Sequence, residues 1–336
     1  MKERPRGRRL AAAALALVLA GFAVVVTDTT AAFAATAKNF GPLVVTDIPP
    51  TPQDGSRPTH KVVPLATIST PMTSGATAYL YSYLRAYAAD QVNLVDNEVR
   101  CSGAGVSDVV MGENVLPPSA PNPAHRDITI VTRFLVSATT TGTLTCTIYL
   151  RTSSTSYKPG RETVEGTVRF AATAVGEDVN GLAMQKSLPT GSYPVPGALV
   201  APVLDRTLPA GYTKVAVIAD VEYHRCASGP TCTTGRSTAR FTLTATTSGG
   251  PDCASAPVAQ TQETVPTGVN HAAVPLYTTV LLRPGCDQLH AKVTTTHVSD
   301  DVGSLGGPAQ LTDSGGPPGS GPSHTSVMTH LFAVPS

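Results

Sequence analysis

Hydrophobic and polar residues alternate with a period of two along most of the chain. In residues 143–150, Leu, Cys, Ile and Leu occupy the even positions, and Thr and Tyr occupy the odd ones. Successive side chains of a strand point to opposite faces, so this pattern predicts a half-buried strand with a Thr-covered outer face. The same reasoning predicts further strands at residues 128–136, 163–170, 214–224, 239–245, 274–282, 289–296 and 327–334.

The segments between these strands are rich in Gly and Pro, and none carries a long helical stripe of apolar residues. Many short strands with frequent turns predict an all-β fold made of two tandem antiparallel β-sandwich (Ig-like) domains. An internal match supports a duplication, because Ser-Gly-Ala at 74–76 precedes one strand much as Pro-Ala-Gly at 209–211 precedes another.

These patterns also predict the order of segments along the chain. The predicted segments are a signal peptide at 1–34, an extended leader at 35–60, the first sandwich at 61–175, a linker at 176–197, and the second sandwich at 198–336, which includes a Gly/Pro-rich loop at 302–323.

The first 34 residues have the three parts of a secretory signal peptide. A basic start is followed by the apolar residues 10–26 and then by Ala32-Phe33-Ala34, a small-residue cleavage site. A retained membrane anchor is the alternative, but an apolar run of about 17 residues lies at the short limit for a span. We therefore predict a secreted protein, cleaved near Ala34 or Ala37, with no membrane span after cleavage.

Six cysteines follow the predicted cleavage site, an even number that fits three disulfides in an oxidising compartment. The duplication favours two equivalent bridges, one in each sandwich, and a third bridge that closes a small loop. The predicted pairs are Cys101 with Cys146, Cys253 with Cys286, and Cys226 with Cys232.

Composition excludes several classes of function. The chain carries a net charge of +1, and removing residues 1–34, which hold five basic and two acidic side chains, leaves −2. Such a balance gives no electrostatic footprint for nucleic acid or anionic membrane. Hydrophobic residues make up 41% of the chain, so it is not a disordered protein.

One segment resembles a catalytic motif. Asp313-Ser314-Gly315-Gly316-Pro317 is similar to the sequence around the nucleophile of chymotrypsin-like serine proteases, which implies an extracellular hydrolase. In that family, Gly occupies the position two residues before the serine, and here it is Thr312. The surrounding Gly and Pro residues are typical of a loop, so we predict that Ser314 is not a nucleophile.

The sequence shows little sign of any other catalytic, metal-binding or cofactor-binding motif. The eight histidines are scattered without zinc-ligand spacing, and the chain has no Gly-rich phosphate loop. We therefore predict no metal site, no cofactor and no catalytic residues.

Four tyrosines are the most suggestive polar-aromatic feature: Tyr79, Tyr81, Tyr83 and Tyr87. On a strand they share one face, where they would either pack within the sandwich or stack on a ligand. Three of them, Tyr79, Tyr83 and Tyr87, also have the spacing of one helix face, so a helix is a third interpretation.

The sequence thus predicts a secreted, non-enzymatic binding or structural protein at or outside the cell surface. Cell-surface polysaccharide or protein would be its partner. A carbohydrate- or peptide-binding module that uses the face from Tyr79 to Tyr87 is one alternative, and an extracellular hydrolase with non-sequential catalytic residues is the other.

Overall fold

Alternating residues produce strands throughout the part of the chain that the computed structural model describes, namely residues 37–50, 59–115, 127–154, 157–170, 184–226, 230–313 and 323–335. The first half contains β1 (Ala37–Ile48), β2 (Lys61–Met72), β3 (Thr77–Asp90), β4 (Val92–Gly103), β5 (Ser107–Asn114), β6 (Ile128–Ser137), β7 (Gly142–Ser154) and β8 (Gly160–Phe170). The second half contains β9 (Gln185–Ser187), β10 (Ser192–Pro194), β11 (Ala198–Thr207), β12 (Lys214–His224), β13 (Ser237–Ser248), β14 (Ala259–Val265), β15 (His271–Leu281), β16 (Gln288–Asp300), β17 (Ser304–Gly306), β18 (Ala309–Thr312), β19 (Ser323–Ser326) and β20 (His330–Pro335).

The first eight strands form an antiparallel sandwich. Sheet A has the strand order β1-β8-β3-β6, and sheet B has the order β2-β7-β4-β5. This is the order of a jelly roll, in which eight strands form two Greek keys around one core.

Strands β10 to β17 repeat that order. Sheet C runs β10-β17-β12, with β15 on the other side of β12, and sheet D runs β11-β16-β13-β14. Strand β17 pairs with β12 at two residues, and β20 pairs with β12 over the stretch that β17 leaves free. Strand β9 then pairs with β20, and β18 pairs with β19 in a hairpin. The predicted tandem sandwiches are confirmed, and their strand order is that of jelly rolls rather than immunoglobulin domains.

Each sandwich buries the apolar face of its strands. Leu80 and Leu84 of β3 are fully buried in the first sandwich, and Phe241 of β13 is fully buried in the second. Burying such a side chain contributes about 1.5–3 kcal/mol relative to leaving it exposed.

The disulfides occupy corresponding places in the two sandwiches. Cys101 near the end of β4 is joined to Cys146 near the start of β7. Cys253, just after β13, is joined to Cys286, just before β16. Both bridges therefore join the end of the fourth jelly-roll strand to the start of the seventh.

The third bridge joins Cys226 to Cys232 and closes a loop after β12. All three pairings are those that the sequence predicted. Three disulfides indicate that the chain folds in an oxidising compartment.

Two boundaries differ from the prediction. Residues 37–48 of the predicted leader form β1, which pairs with β8, and the predicted linker contributes β9 and β10 to sheet C. These strands bury few side chains, so their sequences lack the alternation that marks the central strands; in β1 the buried residues are Val45 and Ile48.

The predicted signal peptide lies outside the described residues, and no helix in the described part of the chain is long and apolar enough to cross a membrane.

A buried ion pair joins the two sandwiches. The backbone N–H of Arg133 on β6 donates to Oδ2 of Asp220 on β12 at 2.9 Å, and its Nε donates to Oδ1 at 3.0 Å. Nη2 of the same guanidinium also donates to the carbonyl oxygens of Ala219 and Leu276, each at 3.3 Å. Asp220 is fully buried, and its charge is compensated by Arg133 of the other sandwich.

Candidate functional site

The four tyrosines lie on a strand, β3, and the helical interpretation is excluded. Their side chains point away from the core of the first sandwich and are half-buried, whereas the alternate residues Leu80, Ser82, Leu84 and Ala86 are buried. Strand β3 lies between β8 and β6, so this row runs along the middle of the outer face of sheet A.

Tyr79 differs from the other three tyrosines because it contacts the second sandwich. Its ring centroid lies 5.4 Å from that of Phe332 in β20, and it packs against the core of the second sandwich. Burial raises the pKa of the Tyr79 hydroxyl to about 12. For this residue, therefore, the packing interpretation is the one that fits.

The other three tyrosines and two neighbouring arginines form a surface that we call the tyrosine face: Tyr81, Tyr83, Arg85, Tyr87 and Arg169. The guanidinium of Arg169 on β8 lies over the ring of Tyr81, 4.8 Å from its centroid. That of Arg85 lies over the ring of Tyr87 at the same distance. Arginines held over aromatic rings in this way gain attraction from the ring quadrupole. The result is a row of three tyrosine rings, of which Tyr81 and Tyr87 each have a guanidinium group over one face.

A second polar group lies on the outer face of sheet B, beneath the β18–β19 hairpin. We call it the hairpin cluster, and its members are Glu98, Arg100, Asp108, Arg151, Asp313, His324 and Ser326. Strands β4, β5 and β7 supply the first four residues, and the hairpin and its flanks supply the last three.

Two arginines neutralise the carboxylates of this cluster. Arg100 donates to Glu98 through Nε at 2.8 Å and to Asp313 through Nη2 at 2.6 Å. Arg151 donates to Asp313 at 2.9 Å and to Glu98 at 3.2 Å. Burial alone would raise the pKa of Asp313, but the hydrogen bonds from Arg100 lower it to about 2.

The hairpin cluster also has residue types that bind metals. Glu98, Asp313 and His324 offer ligand atoms that lie within 4.8 Å of one another. The sequence predicted no such cluster, because strands far apart in the chain bring these residues together. The group does not fit a metal ion, since both carboxylates are already occupied by guanidinium donors with which a cation would compete.

The same cluster resembles part of a catalytic triad. Nδ1 of His324 lies 2.5 Å from Asp108, but its Nε2 faces the carboxylate of Asp313 at 3.3 Å. A general base must instead face the hydroxyl that it deprotonates. The hydroxyl of Ser326 donates to Asp108 and not to His324. Ser314 lies outside the described residues, and the prediction that it is not a nucleophile stays a prediction.

A third polar group lies between the sandwiches. Nε2 of His271 lies 3.5 Å from Glu222 and 3.8 Å from Asp96. Burial would lower the pKa of His271, but these two carboxylates raise it to about 9. Burial raises the pKa of Glu222 to about 7. Gly112 leaves room for this contact, because a Cβ there would lie 2.1 Å from Asp96.

Comparisons with known proteins leave the function open. No protein-family model matches the chain, and no curated protein matches its sequence. Among solved structures, the CBM22-1–CBM22-2 tandem domain of Paenibacillus barcinonensis Xyn10C is 10% identical, with a TM-score of 0.20, over 89% of this chain and 91% of that one.

Two further solved structures are similar at the same level. A triple jelly-roll protein of an archaeal virus turret is 10% identical, with a TM-score of 0.18, over 78% of this chain and 59% of that one. Tripeptidyl peptidase 2 is 8% identical, with a TM-score of 0.18, over 87% of this chain and 26% of that one. Scores this low support no conclusion about this chain, whose jelly-roll order is read from its own strand pairing.

Proposed function

We propose that this is an exported, non-enzymatic binding protein that holds polysaccharide on its tyrosine face. The observation that carries the proposal is the row of Tyr81, Tyr83 and Tyr87 on the outer side of sheet A, with the guanidinium groups of two arginines against it. Export rests on the N-terminal pattern and on the three disulfides. Protein from culture medium should begin near Ala35 or Lys38.

The chemistry of the tyrosine face suits a sugar chain. Aromatic rings offer flat apolar area at low cost in conformational entropy, and tyrosine adds a polar hydroxyl at its edge. The C–H faces of pyranose rings can stack on such rings, while sugar hydroxyls accept from nearby guanidinium groups. Arg169 is exposed and makes no ion pair with another described residue, so its donors are available for this role. Arg85 is partly neutralised by Asp127 at 2.6 Å and Glu165 at 3.0 Å.

Binding to insoluble cellulose, chitin and β-glucan, measured by depletion, tests the proposal. Tyr81→Ala and Tyr83→Ala should each weaken binding about 2- to 12-fold, which corresponds to roughly 0.5–1.5 kcal/mol for a lost ring contact. Tyr277→Ala is the matched control, because Tyr277 is 57% exposed on β15 of the other sandwich.

Two results would contradict the proposal. Equal losses in Tyr81→Ala and Tyr277→Ala would show that binding does not use the tyrosine face. Retention on immobilised peptides, with no retention on any of the polysaccharides, would make the protein a peptide-binding module.

A further inference from the structure

Three arginines lie among the tyrosines on the outer face of sheet A. Arg133 on β6 and Arg169 on β8 lie directly opposite Tyr81, one on each side of β3. Arg85 is the third and belongs to β3 itself. Whether each guanidinium already has a carboxylate partner determines the charge that this face offers to a ligand.

Two of the three charges are compensated within the protein. Arg133 is buried in its ion pair with Asp220 of the second sandwich. Arg85 pairs with Asp127 at 2.6 Å and with Glu165 at 3.0 Å, so one guanidinium holds two carboxylates. Neither arginine therefore has a charge that is free for a ligand.

Arg169 keeps its charge without a partner. Its side chain is exposed, its Cζ lies 4.8 Å from the centroid of the Tyr81 ring, and it makes no ion pair or hydrogen bond with any residue in the described part of the chain. The N–H donors of a guanidinium lie in its own plane, so stacking on a ring leaves them available to a further partner. A planar carboxylate matches this fork of donors with two parallel hydrogen bonds.

Beside Arg169 lies an uncovered ring, that of Tyr83. Tyr83 lies opposite Thr167, and Arg169 is two positions further along β8, so Tyr83 and Arg169 are diagonal neighbours about 7–8 Å apart. Unlike Tyr81 and Tyr87, Tyr83 has no guanidinium over its ring among the described residues. A sugar that stacks its C–H face on Tyr83 would therefore reach Arg169 with a group at its edge.

We propose that the tyrosine face takes acidic polysaccharide, with the carboxylate of a uronic acid unit on Arg169 and the ring of that unit on Tyr83. The inference rests on the proposed binding of polysaccharide and adds the chemical class of the sugar. A uronic acid carries its carboxylate directly on the sugar ring, beside the stacked C–H face. A neutral sugar chain here would shield the Arg169 charge from water without replacing that water, whereas a carboxylate compensates the charge.

Oligogalacturonate is the probe, and its carboxyl-reduced form is the matched ligand, because it has hydroxymethyl groups in place of carboxylates on the same sugar chain. Calorimetry on the whole disulfide-bonded chain should show tighter binding of oligogalacturonate. Arg169→Gln should weaken that binding about 5- to 10-fold, as expected for a charge-assisted pair at an exposed site. It should weaken binding of the reduced form less than about 2-fold, since the glutamine amide can still donate to a hydroxyl. Tyr83→Ala should weaken binding of both ligands alike.

Two other exposed arginines provide matched controls, because replacing either one removes the same charge. Arg161 lies on the same strand as Arg169 but opposite Asp90, and Arg240 lies on β13 of the second sandwich. Arg161→Gln and Arg240→Gln should both keep the preference for oligogalacturonate over its reduced form. Thermal unfolding of every variant checks that it is folded.

Four outcomes would overturn the proposal. They are equal affinity of the unaltered chain for the two ligands, a preference that survives in Arg169→Gln, a preference lost equally in Arg240→Gln, and binding of dextran sulfate in place of oligogalacturonate. Binding of the neutral ligand that depends on Tyr83, without any preference for the acid, would leave the proposed binding of polysaccharide standing. The proposed function itself fails if neither ligand binds and cellulose, chitin and β-glucan do not bind either.

Discussion

At the scale of single residues, the buried ionisable groups carry the most information. Glu162 on β8 is 1% exposed, and no cation pairs with it among the described residues. Burial raises its pKa to about 7, an effect that the nearby Thr152 hydroxyl opposes. A carboxylate that prefers to be neutral inside a protein destabilises the fold wherever the pH forces it to ionise.

Glu162→Gln should therefore stabilise the protein at alkaline pH. The unfolded side chain ionises near pH 4.5 and the folded one near pH 7, so stability falls as the pH rises through this window. The substitution should raise the free energy of unfolding by up to about 3 kcal/mol at pH 8 and change it little at pH 4. Denaturant unfolding at both pH values measures the effect.

Glu165→Gln is the matched control for that experiment. Glu165 is three residues away on β8, half-exposed and paired with Arg85 at 3.0 Å. It should show no gain at pH 8. An equal gain in both variants would mean that net charge, rather than burial of Glu162, sets the pH dependence.

At the scale of elements, a strong alternation of apolar and polar residues predicted strands well, whereas the burial of polar residues hid a strand. Residues 214–224 were predicted from alternation and form β12 with those bounds. Strand β4 was missed, although it lies in the middle of sheet B, because it carries Asp96, Asn97 and Glu98 in succession and all three are buried. Asn97 lies on the inner face, where its amide oxygen accepts from the hydroxyl of Ser82 on β3, so it interrupts the apolar alternation of the strand.

The same reasoning explains which parts of the candidate sites could be predicted. The tyrosines of the tyrosine face were visible in the sequence because they alternate on one strand, whereas Arg169 reaches them from β8 and was not predicted. The hairpin cluster was not visible, because it joins segments that meet through long-range strand pairing. The spacing of residues along the chain does not show which distant segments come into contact.

The hairpin of β18 and β19 should depend on its ion pairs. Asp313→Asn removes a carboxylate that Arg100 and Arg151 both contact, and hydrogen bonds to charged groups contribute about 1.5–3 kcal/mol. Hydrogen exchange in β18 and β19 should accelerate by roughly 10- to 150-fold, whereas exchange in β13 should not change.

Asp127→Asn removes an exposed partner of Arg85 and is the control, because such surface pairs contribute about 0–1 kcal/mol. If Asp313→Asn and Asp127→Asn leave exchange in the hairpin equally slow, the ion pairs do not hold the hairpin, and the backbone hydrogen bonds between β5 and Val327, the residue that follows β19, do.

At the scale of the whole molecule, the two jelly rolls are joined by buried polar contacts beside the packing of Tyr79 on Phe332. Arg133 pairs with Asp220, and Asn114 accepts from the backbone N–H of Asn270 at 2.6 Å. Backbone hydrogen bonds add to these, since Val327 continues the edge of β5 as a parallel bridge at Val109. Buried polar contacts of this kind impose one relative arrangement, because each buried charge is compensated only when its partner is in place.

We therefore expect the two sandwiches to unfold together until the central ion pair is broken. Asp220→Ala leaves the Arg133 guanidinium buried without its carboxylate, a change that costs about 3–5 kcal/mol in buried pairs. Calorimetry should show one transition for the unaltered chain and two for Asp220→Ala. Replacing both partners, as Arg133→Met with Asp220→Leu, should recover much of the loss, since an apolar pair leaves no uncompensated charge. Two transitions in the unaltered chain would show that the sandwiches unfold independently. A single transition of undiminished stability in Asp220→Ala would show that Arg133 and Asp220 do not couple them.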